Sequence, residues 1–384
     1  MGVLNKRALV VCLRQKGTAS RAELARSLGL SQPTAGKIVD ELLEREVFEE
    51  LVPDGDGNGR RLGRPQRMLR LTQSTSRFLG LHLGVTETRL ARLPVGDGCE
   101  DRWTIRFDTP DSTAKWLQCL RQAAKAVPEK NFWGVLVSVP GLVDERRGRV
   151  LYSPNLHWTE KTDLAALIRK IWDAPVVLLQ EEGVLALGHR ATDPEGDDFL
   201  LIDFGDGVGG AVTVNEKLQT HPLPLSGELG HTPVLGNDRP CGCGAVGCLE
   251  TLMSRRGLIE TFSAATGGKA GEWADLVAHI TECGVPVWLE RNLEATAAVI
   301  AGALNVLGIG RVVITGTIAE LPAPVLAYLA GAITRGALWA RFGKIQIEAA
   351  PRRRAAGLLA AGIDHLIVPL DNSPYGIPLL NLRS

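Results

Sequence analysis

The sequence predicts an α/β protein in which an N-terminal winged helix-turn-helix, residues 1–72, precedes a two-lobed α/β body, residues 73–384, whose lobes meet near residue 190. Three observations predict this. Residues 4–46 carry three stretches of helical periodicity joined by short turns. From Phe78 onward, apolar runs of strand length alternate with helical patterns, the mark of helices packed on sheets. Two of those strands, Phe78–Gly84 and Phe199–Phe204, each lead to a Gly-containing turn, as two halves with a cleft between them would.

The first helix is expected over Leu4–Gln15, with Leu4, Ala8, Val11 and Cys12 on one face. Ser20-Arg21-Ala22-Glu23 is a capping box that opens a second helix, and Gly29 ends it. Ser31 caps a third helix, which tolerates Pro33 in its first turn, where amide donors are free. That helix runs to about Glu46 and buries Ile38, Val39, Leu42 and Leu43. Two short helices around a tight turn form the helix-turn-helix pattern, so Ser31, Gln32, Thr34 and Lys37 are the candidate DNA contacts at the start of the recognition helix. Val47–Val52 and Arg60–Leu71 read as a hairpin, hence a wing, with DGDGNG at its tip. Arginines 60, 61, 64, 67 and 70 lie in that second arm without an acid among them. Arg60, Arg61 and Arg64 join the DNA candidates, Arg64 within a Gly-Arg-Pro element suited to the minor groove. A small interaction domain with a solvated basic turn is the alternative.

In the body, strands are expected at Phe78–Gly84, Trp133–Val139, Pro175–Leu179, Phe199–Phe204 and Arg311–Thr315, with helices at Glu182–Arg190 and Leu293–Leu307. The 384 residues carry no formal net charge, so no global field draws the chain to nucleic acid or to a membrane. No apolar run reaches the roughly 20 residues of a membrane span. The N-terminus lacks a signal-peptide pattern, and Cys12, Cys99, Cys119 and Cys283 are scattered without pairing logic. A cytoplasmic location is expected.

The densest chemistry lies in Gly227–Thr251, GELGHTPVLGNDRPCGCGAVGCLET, where His231, Cys241, Cys243 and Cys248 are spaced H-x9-C-x-C-x4-C. One imidazole and three thiolates suit a closed tetrahedral Zn2+ site of structural type, and glycines 242, 244 and 247 allow tight turns between ligands. A Gly-rich loop with free thiols is the alternative.

GELGH and CGCGAVGCLE match the G-E-L-G-H…C-x-C-G-x-x-G-C-x-E signature of the ROK family (repressors, open reading frames, kinases), which the chain resembles over essentially its whole length. SVPGLVD (138–144) and SPNLHW (153–158) resemble two further family segments, the second one residue shorter before its Trp. The resemblance implies an actin/hexokinase-like two-lobed fold, zinc at the four ligands named, and a sugar in the cleft. It implies sugar contacts at Asn155, Glu228, His231 and Glu250, with His231 shared between metal and sugar. The winged domain aligns the chain with the family's repressors, such as those for xylose and N-acetylglucosamine, rather than with its kinases.

The family's kinase pattern E-N-D-A-N-A-A-A falls on Leu179–Ala186, so Gln180 and Glu181 stand for its asparagine and catalytic aspartate. Both keep the functional group on a longer arm, which makes them effector-contact candidates, whereas catalysis at Glu181 requires a reach the longer arm need not provide. The first phosphate turn, D-x-G-G-T, becomes His82-Leu83-Gly84-Val85-Thr86, without the acid that helps hold Mg2+. In the second, Gly205–Gly210, Asp206 replaces a threonine and would cost roughly 4 kcal/mol beside a phosphate charge about 4 Å away. The G-G-G adenosine element is reduced to Gly316 between Thr315 and Thr317. The expected function is a sugar-responsive DNA-binding transcriptional regulator, a repressor without catalysis. Its partners would be operator DNA and a monosaccharide or sugar-derivative effector, and it would assemble as a homodimer or homotetramer. The alternatives are an ATP-dependent sugar kinase carrying a DNA-binding domain, and an activator or corepressor-dependent regulator. The proline-rich stretch 218–225, stiff because each proline fixes its own φ, is a candidate determinant of effector choice.

Overall fold

The computed structural model describes residues 2–51, 67–73, 76–96, 102–128, 131–193, 196–215, 217–219, 227–267 and 271–367. The N-terminal unit consists of helices α1 (Gly2–Lys16), α2 (Arg21–Ser27) and α3 (Gln32–Glu44) with strands β1 (Thr18–Ser20), β2 (Phe48–Glu50) and β3 (Met68–Leu71) in the order β1-β3-β2, all antiparallel. The capping box at Ser20 and Glu23 is formed, and the Ser31 hydroxyl accepts from the Thr34 amide. Helix α3 stops at Glu44 rather than Glu46, because Glu46 takes a left-handed conformation (φ 56°) that turns the chain into β2.

The buried face of α1 differs from the expected stripe. Leu9, Val10, Cys12 and Leu13 are buried, whereas Leu4 is 61% exposed. This helix touches β3 and α2 and also the chain near Asp364, so its covered arc is wider and rotated from a single-sided stripe. β1 was not expected either; three residues are too short for a periodic signal.

The body is built twice on one plan. In the first lobe β4 (Ser76–Leu83) pairs antiparallel with β5 (Glu87–Pro94), which pairs with β6 (Ile105–Asp108). Helix α4 (Thr113–Ala124) follows, then β7 (Gly134–Val139) parallel to β4, the small β8 (Leu142–Asp144) and β9 (Arg149–Tyr152) hairpin, α5 (Leu164–Arg169), and β10 (Val176–Gln180) parallel to β7. Helix α6 (Glu181–Thr192) leads into the second lobe. There β11 (Phe199–Phe204), β12 (Val208–Val214) and β13 (Lys217–Leu218) repeat the antiparallel meander. Helices α7 (Glu250–Met253), α8 (Arg255–Ala265), α9 (Trp273–Cys283) and α10 (Val287–Leu307) precede β14 (Arg311–Gly316), parallel to β11. After α11 (Thr317–Glu320) and α12 (Ala323–Gly336), β15 (Gln346–Ala349) adds in parallel, and α13 (Arg354–Gly362) closes the described chain with a π-type turn, Ile363–Ile367. The sheets run β10-β7-β4-β5-β6 and β13-β12-β11-β14-β15, mirror readings of the same pattern. Among the described residues no helix is long and apolar enough to cross a membrane.

α6 and α13 pack backbone to backbone. A Cβ at Gly357 would lie 1.8 Å from the Val184 carbonyl oxygen, and one at Gly188 would lie 2.1 Å from that of Arg353, so neither position accepts a larger residue in place. From this contact α13 reaches β4 and β7 of the first lobe. Its far end meets the N-terminal unit: Arg7 donates to both carboxylate oxygens of Asp364 (2.7 and 3.1 Å), and Arg45 to the Ile367 carbonyl oxygen (2.9 Å). One apolar cluster joins Leu9, Leu13 and Leu42 to Leu359, Ile363 and Leu366. A shared buried cluster of this kind ties the N-terminal unit to α13, since protein interiors are close-packed rather than fluid.

Candidate functional site

A cavity of about 350 Å3 lies between the two sheets, walled on one side by the β4–β5 turn, Asn155 and the start of α6. Its other wall comprises the β11–β12 turn, Glu228, His231 and Glu250. Duplicated topology explains why both turns arrive here, because each joins the first two strands of its sheet. Of the expected effector contacts, Asn155, Glu181, Glu228, His231 and Glu250 line the cavity. Gln180 is not among the lining residues; its backbone amide donates to Glu145 Oε1 at 3.4 Å.

Glu250 Oε2 accepts from the Val208 amide at 2.9 Å, tying the knuckle to β12. Burial, and then the charge of Glu250, push the Glu228 carboxyl up to about 7. His231 divides its ring: Nδ1 lies 3.6 Å from Cys241 Sγ, and Nε2 lies 3.7 Å from Glu228 Oε2.

Glu181 is already engaged. Arg354, the first residue of α13, donates to Glu181 Oε1 from Nε at 2.9 Å and from Nη2. Burial alone would raise the Glu181 carboxyl; the Arg354 guanidinium, with that of Arg352, outweighs it and holds Glu181 well below the usual carboxylate range. His82 Nε2 stands 3.9 Å from the same oxygen, and burial followed by Arg354 pulls its pKa down to about 3, so its ring is neutral. A carboxylate held this way is a poor proton acceptor.

Arg352 makes a second such pair, donating from Nε and Nη2 to Asp203 (2.6 and 2.9 Å) and to the Phe204 carbonyl oxygen (2.9 Å). Its guanidinium covers both glycine turns on that side: a Cβ at Gly205 would lie 2.6 Å, and one at Gly316 2.5 Å, from Arg352 Nη2. Burial raises the Asp206 carboxyl in the adjacent turn. Sequence reasoning missed Arg352 and Arg354. The signal available was the Pro351-Arg352-Arg353-Arg354 run immediately before a glycine-containing apolar helix, but nothing local says that these side chains point inward.

The ligand atoms of His231, Cys241, Cys243 and Cys248 lie within 4.8 Å of one another. Cys243 and Cys248 sulfurs are 3.7 Å apart, close to the roughly 3.8 Å edge of a tetrahedron with 2.3 Å metal–sulfur bonds. Burial, and then the neighbouring thiols, push Cys248 up to about 12, so the thiols resist joint ionisation without a cation among them. This donor set fits a metal ion. Left-handed glycines at 244 and 247 (φ 89° and 86°) make the turns, whereas Gly242 is not among the left-handed glycines and packs against Pro154. The Tyr152 hydroxyl donates to the Gly242 carbonyl oxygen at 3.3 Å, so the knuckle rests on the opposite lobe.

On the N-terminal unit, Ser31, Gln32, Thr34 and Lys37 are all exposed along the first turns of α3. Arg60, Arg61 and Arg64 lie outside the described residues, as does most of the 218–225 stretch. Arg67 and Arg70 pair with Glu50 and Glu49 across β2 and β3 (2.6 Å each), which leaves that arm less basic than the arginine count suggests.

The comparisons with known proteins agree with this geometry. The model of the ROK family matches residues 78–362. The xylose repressor of Caldicellulosiruptor bescii is 25% identical over 272 residues, 67% of this chain and 65% of the repressor, so this chain spans about two thirds of that relative's length. The crystal structure of a ROK family transcriptional regulator, homolog of the E. coli MLC protein, superposes with a TM-score of 0.76 at 20% identity, covering 94% of this chain and 96% of that one. A ROK family glucokinase from Streptomyces griseus, in complex with glucose and AMPPNP, superposes with a TM-score of 0.62 at 22% identity over 74% of this chain and 97% of its own. The duplicated sheets are thus those of the actin/hexokinase-like α/β fold, and the chain belongs to the ROK family.

Proposed function

We propose that this chain is a sugar-responsive DNA-binding transcriptional regulator, a repressor released by a monosaccharide or sugar derivative bound between the lobes. One observation carries the reading: Arg354 engages Glu181 in the cleft from the first turn of the helix whose other end is held by the N-terminal unit. Glu181 occupies the position a kinase needs for its base, and here it is a structural anion. Arg352 and Asp206 occupy the side where nucleotide phosphates would lie, which favours sensing over phosphoryl transfer. The N-terminal unit is a winged helix-turn-helix, and α3 is its recognition helix, presenting Gln32, Thr34 and Lys37 to base edges. Arg60, Arg61 and Arg64, outside the described residues, are proposed as further DNA contacts.

Asn155, Glu228, His231 and Glu250 are the proposed effector contacts; Glu181 lines the same cavity but is held by Arg354, and Gln180, which does not line it, drops out of the set. Structural zinc on His231, Cys241, Cys243 and Cys248 would fix the segment that carries Glu228 and Glu250. Effector binding shifts the population of lobe arrangements, and α13 carries that shift to the winged unit; the effector must bind the two arrangements with different affinity. A homodimer or homotetramer in the cytoplasm would match a palindromic operator. D-xylose is the first sugar to test, since it names the repressor relative.

The test pairs two measurements on the full chain. Operator binding is followed by mobility shift with and without sugar, and sugar-dependent ADP release is followed with ATP and Mg2+. Sugar-dependent loss of DNA binding without turnover is expected. Turnover of roughly 1–1,000 per second would instead establish a kinase carrying a DNA-binding domain.

A further inference from the structure

The carboxylates around the cleft differ in one respect that the proposed contacts do not use. Glu181 is partnered by Arg354, Asp203 by Arg352, and Glu250 by the Val208 amide. Glu182 Oε2 is fully buried and has no hydrogen-bond partner. Glu182 is the second residue of α6 and lines the cavity. Its carboxyl group lies directly over β12, where a Cβ at Gly209 would stand 2.6 Å from Oε1 and 2.8 Å from Cδ. The lack of a side chain at Gly209 therefore makes room for an acid that the protein itself leaves unsatisfied. Buried polar groups are ordinarily paired, and an exception on a residue that lines a polar cavity calls for a partner from outside the chain.

We propose that Glu182 is a further ligand-contact residue of the cleft, one that hydrogen-bonds a hydroxyl of the bound sugar and helps decide which sugar is accepted. The inference rests on the sensing reading above. Burial, and then the neighbouring charge of Glu181, push this carboxyl up to about 8, so near neutral pH it offers one O–H donor and one carbonyl acceptor. A sugar hydroxyl, which both donates and accepts, answers either. Arms without a matching hydroxyl leave the acid unpaired again, and that is a source of selectivity.

The test is calorimetric titration of the zinc-loaded full chain with D-xylose, D-glucose and N-acetyl-D-glucosamine, followed by single-deoxy analogues of whichever binds best. Glu182→Ala should weaken the best sugar about tenfold, and Glu182→Asp, which withdraws both oxygens by a methylene, should do the same. Glu182→Gln keeps one donor and one acceptor and should bind within about threefold of the unaltered chain, an outcome that bulk loss of structure would not produce. One deoxy analogue should lose about tenfold on the unaltered chain and nothing further on Glu182→Ala, the signature of a direct pair. Binding by Glu182→Ala and Glu182→Asp within twofold of the unaltered chain, or additive losses across all deoxy analogues, overturns this inference and leaves the sensing reading intact. No binding of any sugar by the unaltered chain overturns both.

Discussion

Replacing Arg354 with methionine removes one partner of a buried ion pair while keeping most of the side-chain volume. Side-chain exposure is 8% for Arg354 and 12% for Glu181, so water cannot take the place of the guanidinium. Breaking such a pair costs about 3–5 kcal/mol, because the remaining charge stays buried without compensation. A linkage estimate agrees: if Glu181 must instead be protonated at pH 7, against an ordinary value of 4.5, the cost is about 3.4 kcal/mol at 1.36 kcal/mol per unit. The sign follows from the same reasoning. In the unaltered chain the Glu181 carboxyl is depressed, so its stabilisation is fully present above about pH 4.5 and is lost only as pH falls through the depressed value. In Arg354→Met, burial dominates and raises the carboxyl, so the variant regains stability as pH falls from 7 toward 4.5. Urea unfolding at pH 7 and pH 5 should therefore show a deficit of about 3–5 kcal/mol that shrinks by about 2.5 kcal/mol at the lower pH. Glu181→Gln combined with Arg354→Met should recover most of the deficit. A deficit below about 1 kcal/mol at pH 7, or one of equal size at both pH values, refutes the assignment of Glu181 as a locked anion.

Three further outcomes are expected. His82 is buried and neutral with its pKa near 3, so its unfolded form binds the extra proton and stability falls as pH drops below about 6.5; His82→Gln should lose about 2 kcal/mol less than the unaltered chain between pH 7 and pH 5, and equal pH profiles would reject the buried neutral ring. Cys243→Ser should reduce zinc in the purified protein, measured by mass spectrometry, from about one ion per chain to almost none, and should lower the melting temperature; full zinc retention would remove Cys243 from the ligand set. Asp364→Asn breaks the partly exposed pair with Arg7, so it should change stability by no more than about 1 kcal/mol while weakening sugar-driven release of DNA at unchanged sugar affinity; unaltered release would exclude the far end of α13 from the signal route.

Much of the architecture was legible because periodicity and caps are local. The capping box at Ser20, the glycine turn at Gly29 and the expected strands β4, β7, β10, β11 and β14 lie where residue order places them, whereas β5, β6, β12, β13 and β15 were not expected. The zinc-type cluster was legible for the same reason: its four donors sit within 18 residues, from His231 to Cys248, and a short loop has few ways to arrange them. The buried stripe of α1 was not legible, since a helix covered from two sides hides its true face from a one-face pattern. Nor did the arginine count predict that Arg67 and Arg70 would be neutralised across a sheet by Glu49 and Glu50.

By itself, then, the sequence determined the N-terminal helices, the two-half plan, the knuckle and the degeneracy of the phosphate turns, because each is written in residues close together along the chain. Tertiary structure alone decided what occupies the cleft. Arg352 and Arg354 come from a segment well over a hundred residues beyond Glu181 and Asp203 in sequence, and only the return of α13 across α6 brings guanidinium to carboxylate. That same crossing decides that Glu181 is an anion held in place and that the cleft and the N-terminal unit share one helix. Burial and charge pairing depend on what the fold brings within a few ångströms, and residue order does not encode that distance.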